Sequence, residues 1–519
     1  FTPSDRGIFT VLATTSARAV VRALEALARE LGRLTREPIP AREIAKARAF
    51  LESDAIYSEE TVDGTARKLG YYTLHVGDVD FEERYLAGLA SAGPQELLDA
   101  ARRYLRPAGL SVAAVLPEAD AEPSPPSWVR GRGGRRRVDL ERLEREVSGA
   151  VRSGWRPDSG RRPGRGRRNG TRVVTLSSGD TLIIRPDSES RVVAARVAHH
   201  GGLRLEPRSR AGLATLLANS ITRATELRSA DEIADAMDNL ACSVGGFAGR
   251  NTSGVQGEFL ARNYSEGLAL LGECFTRPGF DERDLAREKQ LLLEEIRVSR
   301  DRLDQQAFLD FQGALYGAHP YGRSVLGTEE TVRRLSGDDL RGFLERRAAP
   351  GELAIAVVGG VDPDECIELV ERHLIAGLRD RRAGKIRAPA FRPPRRSRRL
   401  ARDLDKEQSH LVIGFSGTTL DADDRFALEV LTEILGGHGG RLFAAVREER
   451  SLAYAVTAVS IEGLEPGYLA LYAATAPGQE LAVRDAMLEE ARALRAERVG
   501  RDELERTVRH LIGSREIVR

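Results

Sequence analysis

The alternation of hydrophobic and polar positions divides the chain into strand-like and helix-like stretches. Residues 172–200 alternate β-branched and polar residues around a Ser-Gly-Asp turn, which predicts an antiparallel meander. The residues after Arg210 carry apolar side chains at helical spacing, which predicts an amphipathic helix. Because short strands and amphipathic helices alternate in this way, we expect an α+β fold with mostly antiparallel sheets covered by helices.

Two pairs of segments repeat one another along the chain. Residues 6–31 and 466–494 each read as a strand, a polar turn and an amphipathic helix. Residues 42–118 and 283–362 each read as a long helix, further helices and an apolar strand. The repetition predicts that one supersecondary unit recurs, and that the first and last copies are cut, the first lacking about 70 residues.

These repeats and the composition between them predict four segments. With 519 residues the chain has room for three or four hydrophobic cores. Residues 119–171 are rich in Pro, Gly and Arg and are predicted to be a linker. The expected units are 1–118, the C-terminal portion of a second unit, 172–390, a third unit, and 391–519, a fourth unit without its end.

Charge and composition argue against several classes of partner. The 79 basic and 78 acidic residues leave a formal net charge of +1, so no global field would attract nucleic acid. The linker is basic, but with only Trp128 and Trp155 as stacking residues it is better explained as a solvated tether. No apolar run approaches the ~20 residues that span a bilayer, so we expect no membrane span and a soluble protein, cytoplasmic or periplasmic.

One helical segment carries a family resemblance. Residues 211–233 read AGLATLLANSITRATELRSADEI. They resemble the pitrilysin/insulinase (inverted-zincin) metallopeptidase family, whose catalytic unit reads G-L-A-H-x-x-E-H and then R-S-A-x-E-I. The matching residues are Gly212, Leu213, Ala214, Arg228, Ser229, Ala230, Glu232 and Ile233.

The same segment departs from the family at every catalytic position. In the family two histidines bind zinc and the glutamate between them activates water, but here the three positions are Thr215, Ala218 and Asn219. None of the eight histidines forms His-x-x-Glu-His or His-Glu-x-x-His. The position of the family's downstream glutamate ligand is kept as Glu295, which without histidines is expected to be an ordinary, partly exposed helical residue. We therefore predict that this chain binds no zinc.

A second resemblance lies near the end of the chain. The segment VREERSLAY, residues 446–454, is similar to the family's closing domain. The resemblance implies that Arg447 and Tyr454 reach across a chamber to the scissile peptide, where a guanidinium and a phenol suit a carbonyl oxygen that becomes an oxyanion. The alternative is that both residues are purely structural, the arginine on the surface and the tyrosine packed at the start of a strand.

Two further motifs are expected to be structural. The GGHGG run at 436–440 follows an apolar helix and lacks the Gly-Lys-Ser/Thr of a phosphate loop, so it predicts a helix end and a tight turn. The segment AHPYGRSVLGT, residues 318–328, also fits the family, but nothing near His319 completes a set of metal ligands.

Together the resemblances imply repeated mitochondrial-processing-peptidase-like (LuxS/MPP-like metallohydrolase) units in a zinc metalloendopeptidase. This chain would supply the inactive half that binds a peptide and closes over it, while zinc would sit in a catalytic half before Phe1 or on a second subunit. The alternative is a non-catalytic peptide-binding or scaffold subunit of the same family. A third and weaker alternative is a nucleic-acid contact through the linker.

Overall fold

The fold is taken from a computed structural model, which describes residues 9–15, 19–57, 62–106, 110, 112, 129–130, 137–138, 170–345, 350–378, 390–394, 396–437 and 439–517. The chain divides into two compact units. The first comprises Phe1–Arg167, Ser188–Val192 and Ala236–Cys242, and the second comprises the rest. The predicted linker 119–171 lies almost wholly outside the described residues, so the four predicted segment boundaries stay a prediction.

The described part of the first unit is mainly helical. Its helices are α1 Val20–Leu34, α2 Ala41–Tyr57, α3 Val62–Val76, α4 Phe81–Ser91 and α5 Pro94–Tyr104. Its described strands are β1 Val129–Arg130 and β2 Arg137–Val138, which pair with each other. The strand predicted at the start of the chain is wrong for residues 9–15, which have no regular structure. A strand needs a hydrogen-bonded neighbour, and β1 and β2 do not pair with this segment.

A six-stranded sheet forms the centre of the second unit. Its strands are β3 Arg172–Thr175, β4 Thr181–Pro186, β5 Val192–His200, β7 Ser243–Ala248, β8 Thr252–Leu260 and β10 Ala354–Gly359. The strand order is β3-β4-β10-β5-β8-β7. The short strands β6 Ala224–Thr225 and β9 Pro278–Gly279 pair separately.

The predicted meander over residues 172–200 is only partly correct. Strands β3 and β4 are antiparallel, but β10 lies between β4 and β5, parallel to the first and antiparallel to the second. The alternation of β4 agrees with the prediction, since Leu182 and Ile184 are fully buried. Asp180 fixes the insertion, because its buried carboxylate accepts the backbone N–H groups of Gly351 (2.9 Å) and Leu353 (3.0 Å) just before β10.

The helices in this part of the chain are α6 Leu213–Ser220, α7 Ala230–Leu240, α8 Tyr264–Thr276, α9 Glu282–Asp301, α10 Leu303–Tyr316, α11 Glu329–Arg334, α12 Gly337–Glu345 and α13 Pro363–Val370. Of these, α6 packs against β7, α8 against β8 and α13 against β4. A buried apolar cluster packs α6 against α9, through residues that include Leu216, Leu292 and Ile296. The helix predicted after Arg210 therefore exists and begins at Leu213.

A three-stranded antiparallel sheet lies toward the end of the chain. Its strands are β11 Ser409–Ser416, β12 Ala455–Ile461 and β13 Tyr468–Thr475, in the order β11-β13-β12. Its helices are α14 Arg425–Gly436, α15 Glu480–Ala496 and α16 Arg501–Ile517. The predicted α+β class with mostly antiparallel sheets covered by helices is confirmed.

An aromatic cluster joins α10 to the three-stranded sheet. The ring of Phe311 lies over Gly414, where a Cβ would overlap it. The hydroxyl of Tyr316 donates to the carbonyl of Pro466 at 3.1 Å, and the Gln312 amide donates to the Tyr468 hydroxyl at 3.3 Å. These contacts fix the two sheets of the second unit against each other.

Within the described part of the chain, no helix combines the length and apolar character needed to cross a bilayer.

Candidate functional site

Helix α6 carries Thr215, Ala218 and Asn219, the three positions that the sequence resemblance predicts as counterparts of the zinc ligands and the general base. The helix begins after Gly212, which has a φ of 92° and lies so close to the carbonyl oxygen of Leu326 (2.6 Å from a built Cβ) that no larger residue fits. The Glu206 carboxylate accepts the N–H groups of Gly212 at 3.0 Å and Ala214 at 2.7 Å. The start of α6 is therefore capped by a side chain from the loop that directly precedes the helix.

The side chains at the three positions do not fit zinc. The Thr215 hydroxyl donates to the carbonyl of Val325 at 2.7 Å, which ties α6 to the loop before α11. Ala218 is 5% exposed and offers only a methyl group, and Asn219 carries a neutral amide. Zinc sites in proteins use imidazole, thiolate or carboxylate donors. We therefore assign no zinc chemistry to α6.

The sequence analysis considered Glu295 on α9 but did not identify Glu288 as a buried residue. Glu295 is exposed on α9, whereas Glu288 is 2% exposed and lies 2.7 Å from the guanidinium of Arg223, just beyond α6. The signal was present, because Glu288 follows Leu285 by three positions and so shares the buried face with Leu292 and Ile296. Among the described residues, no group of three or more His, Cys, Asp and Glu could hold a metal ion.

The buried carboxyl group of Glu206 has a strongly raised pKa. Burial raises its pKa to about 7, against the opposing effects of the Ala214 and Gly212 N–H groups and of Arg323. Arg323 donates to the backbone carbonyl oxygen of the same residue at 2.9 Å. A carboxyl group that titrates near neutral pH therefore caps the helix.

We expect the stability of this unit to fall as pH rises from about 4.5 to about 7. The folded pKa of Glu206, about 7, lies above its unfolded value of 4.5. Between these two values the folded state binds more protons than the unfolded state. The stabilisation from protonated Glu206 is therefore complete below pH 4.5 and is lost as the pH rises to about 7. Urea unfolding across this range measures it, and Glu206→Gln, which cannot titrate, is the control. If both proteins show the same pH dependence, Glu206 does not titrate as described.

Arg447 and Tyr454 lie on one exposed segment that leads into β12. Arg447 lies in a π-helical turn over residues 443–448, with its guanidinium 5.1 Å from the centre of the Phe443 ring. Tyr454 is 62% exposed, and its N–H donates to the carbonyl of Ala474 on β13 at 2.9 Å. Ser451, between them, has a φ of 51°. The backbone is therefore held by the sheet while both side chains face solvent.

The structure places the two sets of predicted site residues on different sheets of the second unit. Thr215, Ala218 and Asn219 lie on α6 over the six-stranded sheet, whereas Arg447 and Tyr454 lie at the rim of the three-stranded sheet. In the second pair, Arg447 lies within the π-helical turn, and Ser451, between it and Tyr454, has a positive φ. The structure therefore keeps an exposed donor pair on one backbone segment.

The two remaining motifs have structural surroundings. His319 is buried, and its Nδ1 accepts the N–H of Tyr321 at 3.3 Å at the start of a 3-10 turn. In the GGHGG run, α14 ends at Gly436, where a Cβ would overlap the backbone of Ala458 on β12. His438 lies outside the described residues.

Comparisons with known proteins identify the second unit. Residues 182–329 match the family described as Insulinase (Peptidase family M16), and residues 334–511 match the Peptidase M16 inactive domain. The chain is 29% identical over 341 residues to the uncharacterized zinc protease YmxG of Bacillus subtilis, covering 66% of this chain and 82% of that protein. It is 32% identical over 288 residues to the uncharacterized zinc protease ML0855 of Mycobacterium leprae, covering 54% and 63%.

A solved structure has the same fold. The peptidase M16 inactive domain from Pseudomonas fluorescens superimposes with a TM-score of 0.60 at 21% identity, over 67% of this chain and 84% of that one. The matches over residues 182–329 and 334–511 confirm the resemblance seen in the residues around α6 and β12. This chain belongs to the pitrilysin/insulinase family of metallopeptidases.

Proposed function

We propose that this chain is the inactive, peptide-holding half of a zinc metalloendopeptidase. The observation that carries the proposal is the state of α6, which is intact, buried and capped but carries Thr215, Ala218 and Asn219 where zinc ligands and a general base would stand. Because the Thr215 hydroxyl donates a hydrogen bond to the carbonyl of Val325, this residue contributes to the packing of α6. The helix then supports the fold, and chemistry is left to a catalytic half.

The catalytic half would carry His-x-x-Glu-His and zinc, in the same polypeptide or on a second subunit. Zinc there would polarise the scissile carbonyl and activate water. From this chain, the Tyr454 hydroxyl and the Arg447 guanidinium would donate to the carbonyl oxygen as it becomes an oxyanion. Their exposure and shared backbone segment support this role, since both donors are accessible to a peptide held between two halves.

The test compares residues 1–519 alone with the protein purified from its native host together with any accompanying catalytic half. We expect the native preparation to cleave a quenched-fluorescent peptide, to lose activity with a chelator and to regain it with Zn²⁺. Residues 1–519 alone should neither cleave the peptide nor retain zinc. Zinc-dependent cleavage by this chain alone would overturn the inactive-half proposal.

The second candidate is a peptide-binding or scaffold subunit without any catalytic partner. The same three residues of α6 favour this candidate. A protein that binds no zinc in either half would not be selected to keep zinc ligands at these positions. A native preparation that holds no zinc and cleaves no peptide, yet binds peptides or assembles with other chains, would select this candidate.

A further inference from the structure

A groove of about 920 Å³ lies beside the start of α6, in the second unit. Its walls come from the loop before α6, from α10, from the segment 322–331 and from residues 398–402. This volume is within the range of about 300–1,000 Å³ that ligand-binding clefts occupy. The groove is therefore large enough to hold several residues of an extended peptide.

Arginine dominates the lining of the groove. The lining includes five arginines, which are Arg208, Arg323, Arg398, Arg399 and Arg402. Only two acidic residues line it, and both are already engaged, Asp310 with Arg402 and Glu330 with Arg334 at 2.8 Å. Neither Arg208 nor Arg399 has an ion-pair partner among the residues that the structure describes. The groove therefore has an excess of positive charge.

Arg323 carries donors that no described group accepts. One of its nitrogens donates to the carbonyls of Leu203 (3.3 Å) and Glu206 (2.9 Å), but its buried Nε and Nη1 atoms have no hydrogen-bond partner within the described part of the chain. Burial lowers the pKa of Arg323, and the charge of Arg208 acts in the same direction, against the effect of Glu206. A bound anion would relieve the repulsion between the two arginines.

The lining favours a peptide over other anions. Guanidinium groups bind carboxylates through paired, parallel hydrogen bonds. Between the arginines lie the aliphatic side chains of Leu309 and Leu400, the latter exposed, which suit the apolar parts of a peptide. No aromatic side chain is among the residues that line the groove, so stacking with nucleic-acid bases has no platform there.

We infer that this groove binds an acidic peptide segment, with Arg208, Arg323 and Arg399 as the positions that receive its carboxylates. The inference deepens the proposed function by naming the class of substrate segment that this half holds. It also applies if the protein is a peptide-binding subunit, because binding does not require zinc. Acidic segments would then be selected by charge and not by an exact sequence.

The test is equilibrium binding to residues 1–519, measured by fluorescence anisotropy at low ionic strength. The probe is a labelled peptide of alternating glutamate and alanine, and its counterpart has glutamine for glutamate. We expect the glutamate peptide to bind about tenfold more tightly than the glutamine peptide, and added salt to weaken it. Equal binding of the two peptides would overturn the inference.

Matched variants locate the site. Arg208→Glu and Arg399→Glu change exposed residues and are each expected to weaken binding of the glutamate peptide about five- to tenfold. Arg495→Glu, on the exposed face of α15, makes the same change in net charge outside the groove and should leave binding unchanged. If all three variants weaken binding equally, the groove is not the site.

A competition experiment separates a peptide site from a simple anion site. Inorganic phosphate that displaces the glutamate peptide at concentrations near the peptide's own Kd would overturn the peptide assignment. The measurement involves no cleavage, so failure of the inference would leave the proposed peptidase activity standing. Equally, an absence of cleavage in the native preparation would leave a measured binding constant valid.

Discussion

Replacement of Tyr454 by phenylalanine is expected to lower kcat for peptide cleavage about a hundredfold in the assembled peptidase, with KM changed less than about twofold. The substitution removes only the hydroxyl, whose hydrogen bond would strengthen as the oxyanion forms and would not hold the ground-state peptide. The backbone should stay in place, because the Tyr454 N–H is bonded to Ala474 on β13. Initial rates with a quenched-fluorescent peptide measure the effect.

The control for this variant is Tyr104→Phe. Tyr104 is 68% exposed, similar to the 62% of Tyr454, but it lies at the end of α5 in the first unit. We expect it to leave kcat and KM unchanged. An active preparation in which Tyr454→Phe retains full kcat would show that the phenol contributes no oxyanion contact, and the role taken from the family resemblance would be wrong for Tyr454.

Alanine at Gly246 is expected to lower the free energy of unfolding by about 3 kcal/mol. Gly246 lies on β7 directly against the end of α6, where a Cβ would overlap the carbonyl oxygen of Ala218 and approach Ile221 Cγ2 to 2.7 Å. Neither neighbour can move freely, because both belong to the buried side of α6 and its end. Urea unfolding followed by far-UV circular dichroism measures the change.

The neighbouring glycine supplies the control. Gly245 is on the same strand, and a Cβ there meets nothing within 4 Å. Both substitutions change the backbone entropy of the unfolded chain in the same way, so the difference between them isolates the overlap. We expect Gly245→Ala to change the free energy of unfolding by less than about 1 kcal/mol. Equal destabilisation by both variants would mean that β7 and α6 are not packed as described.

Several features of the site could be predicted from residues close in sequence. The alternation of Leu182 and Ile184, the helix of residues 425–436 and the helix after Gly212 depend on periodicity and on local backbone preferences. The family resemblance rests on side-chain identity in short segments, so the sequence alone predicts that Thr215, Ala218 and Asn219 stand where zinc ligands and a general base would be. The surroundings of these residues could not be predicted in this way, since Val325, whose carbonyl accepts the hydrogen bond from Thr215, comes from a distant loop of the chain.

The position of β10 shows why local patterns failed in the sheet. The sequence of residues 172–200 favours neighbouring antiparallel strands, but the apolar run 354–359 pairs on both sides and separates β4 from β5. Both arrangements satisfy the same alternation of buried and exposed residues. The choice between them depends on backbone hydrogen bonds between residues more than 150 positions apart, which periodicity does not encode.

By itself, the sequence determined the family, the α+β class and the absence of the His-x-x-Glu-His motif, because these depend on residue identity and local periodicity. Only the tertiary structure decided the insertion of β10, the burial of Glu288 beside Arg223 and the arginine groove next to α6. In each of these, backbone or side-chain groups from segments far apart in the chain come into contact. The local charge, the burial and the hydrogen-bond or ion-pair partner of each group depend on these long-range contacts, so they cannot be predicted from one segment of the sequence.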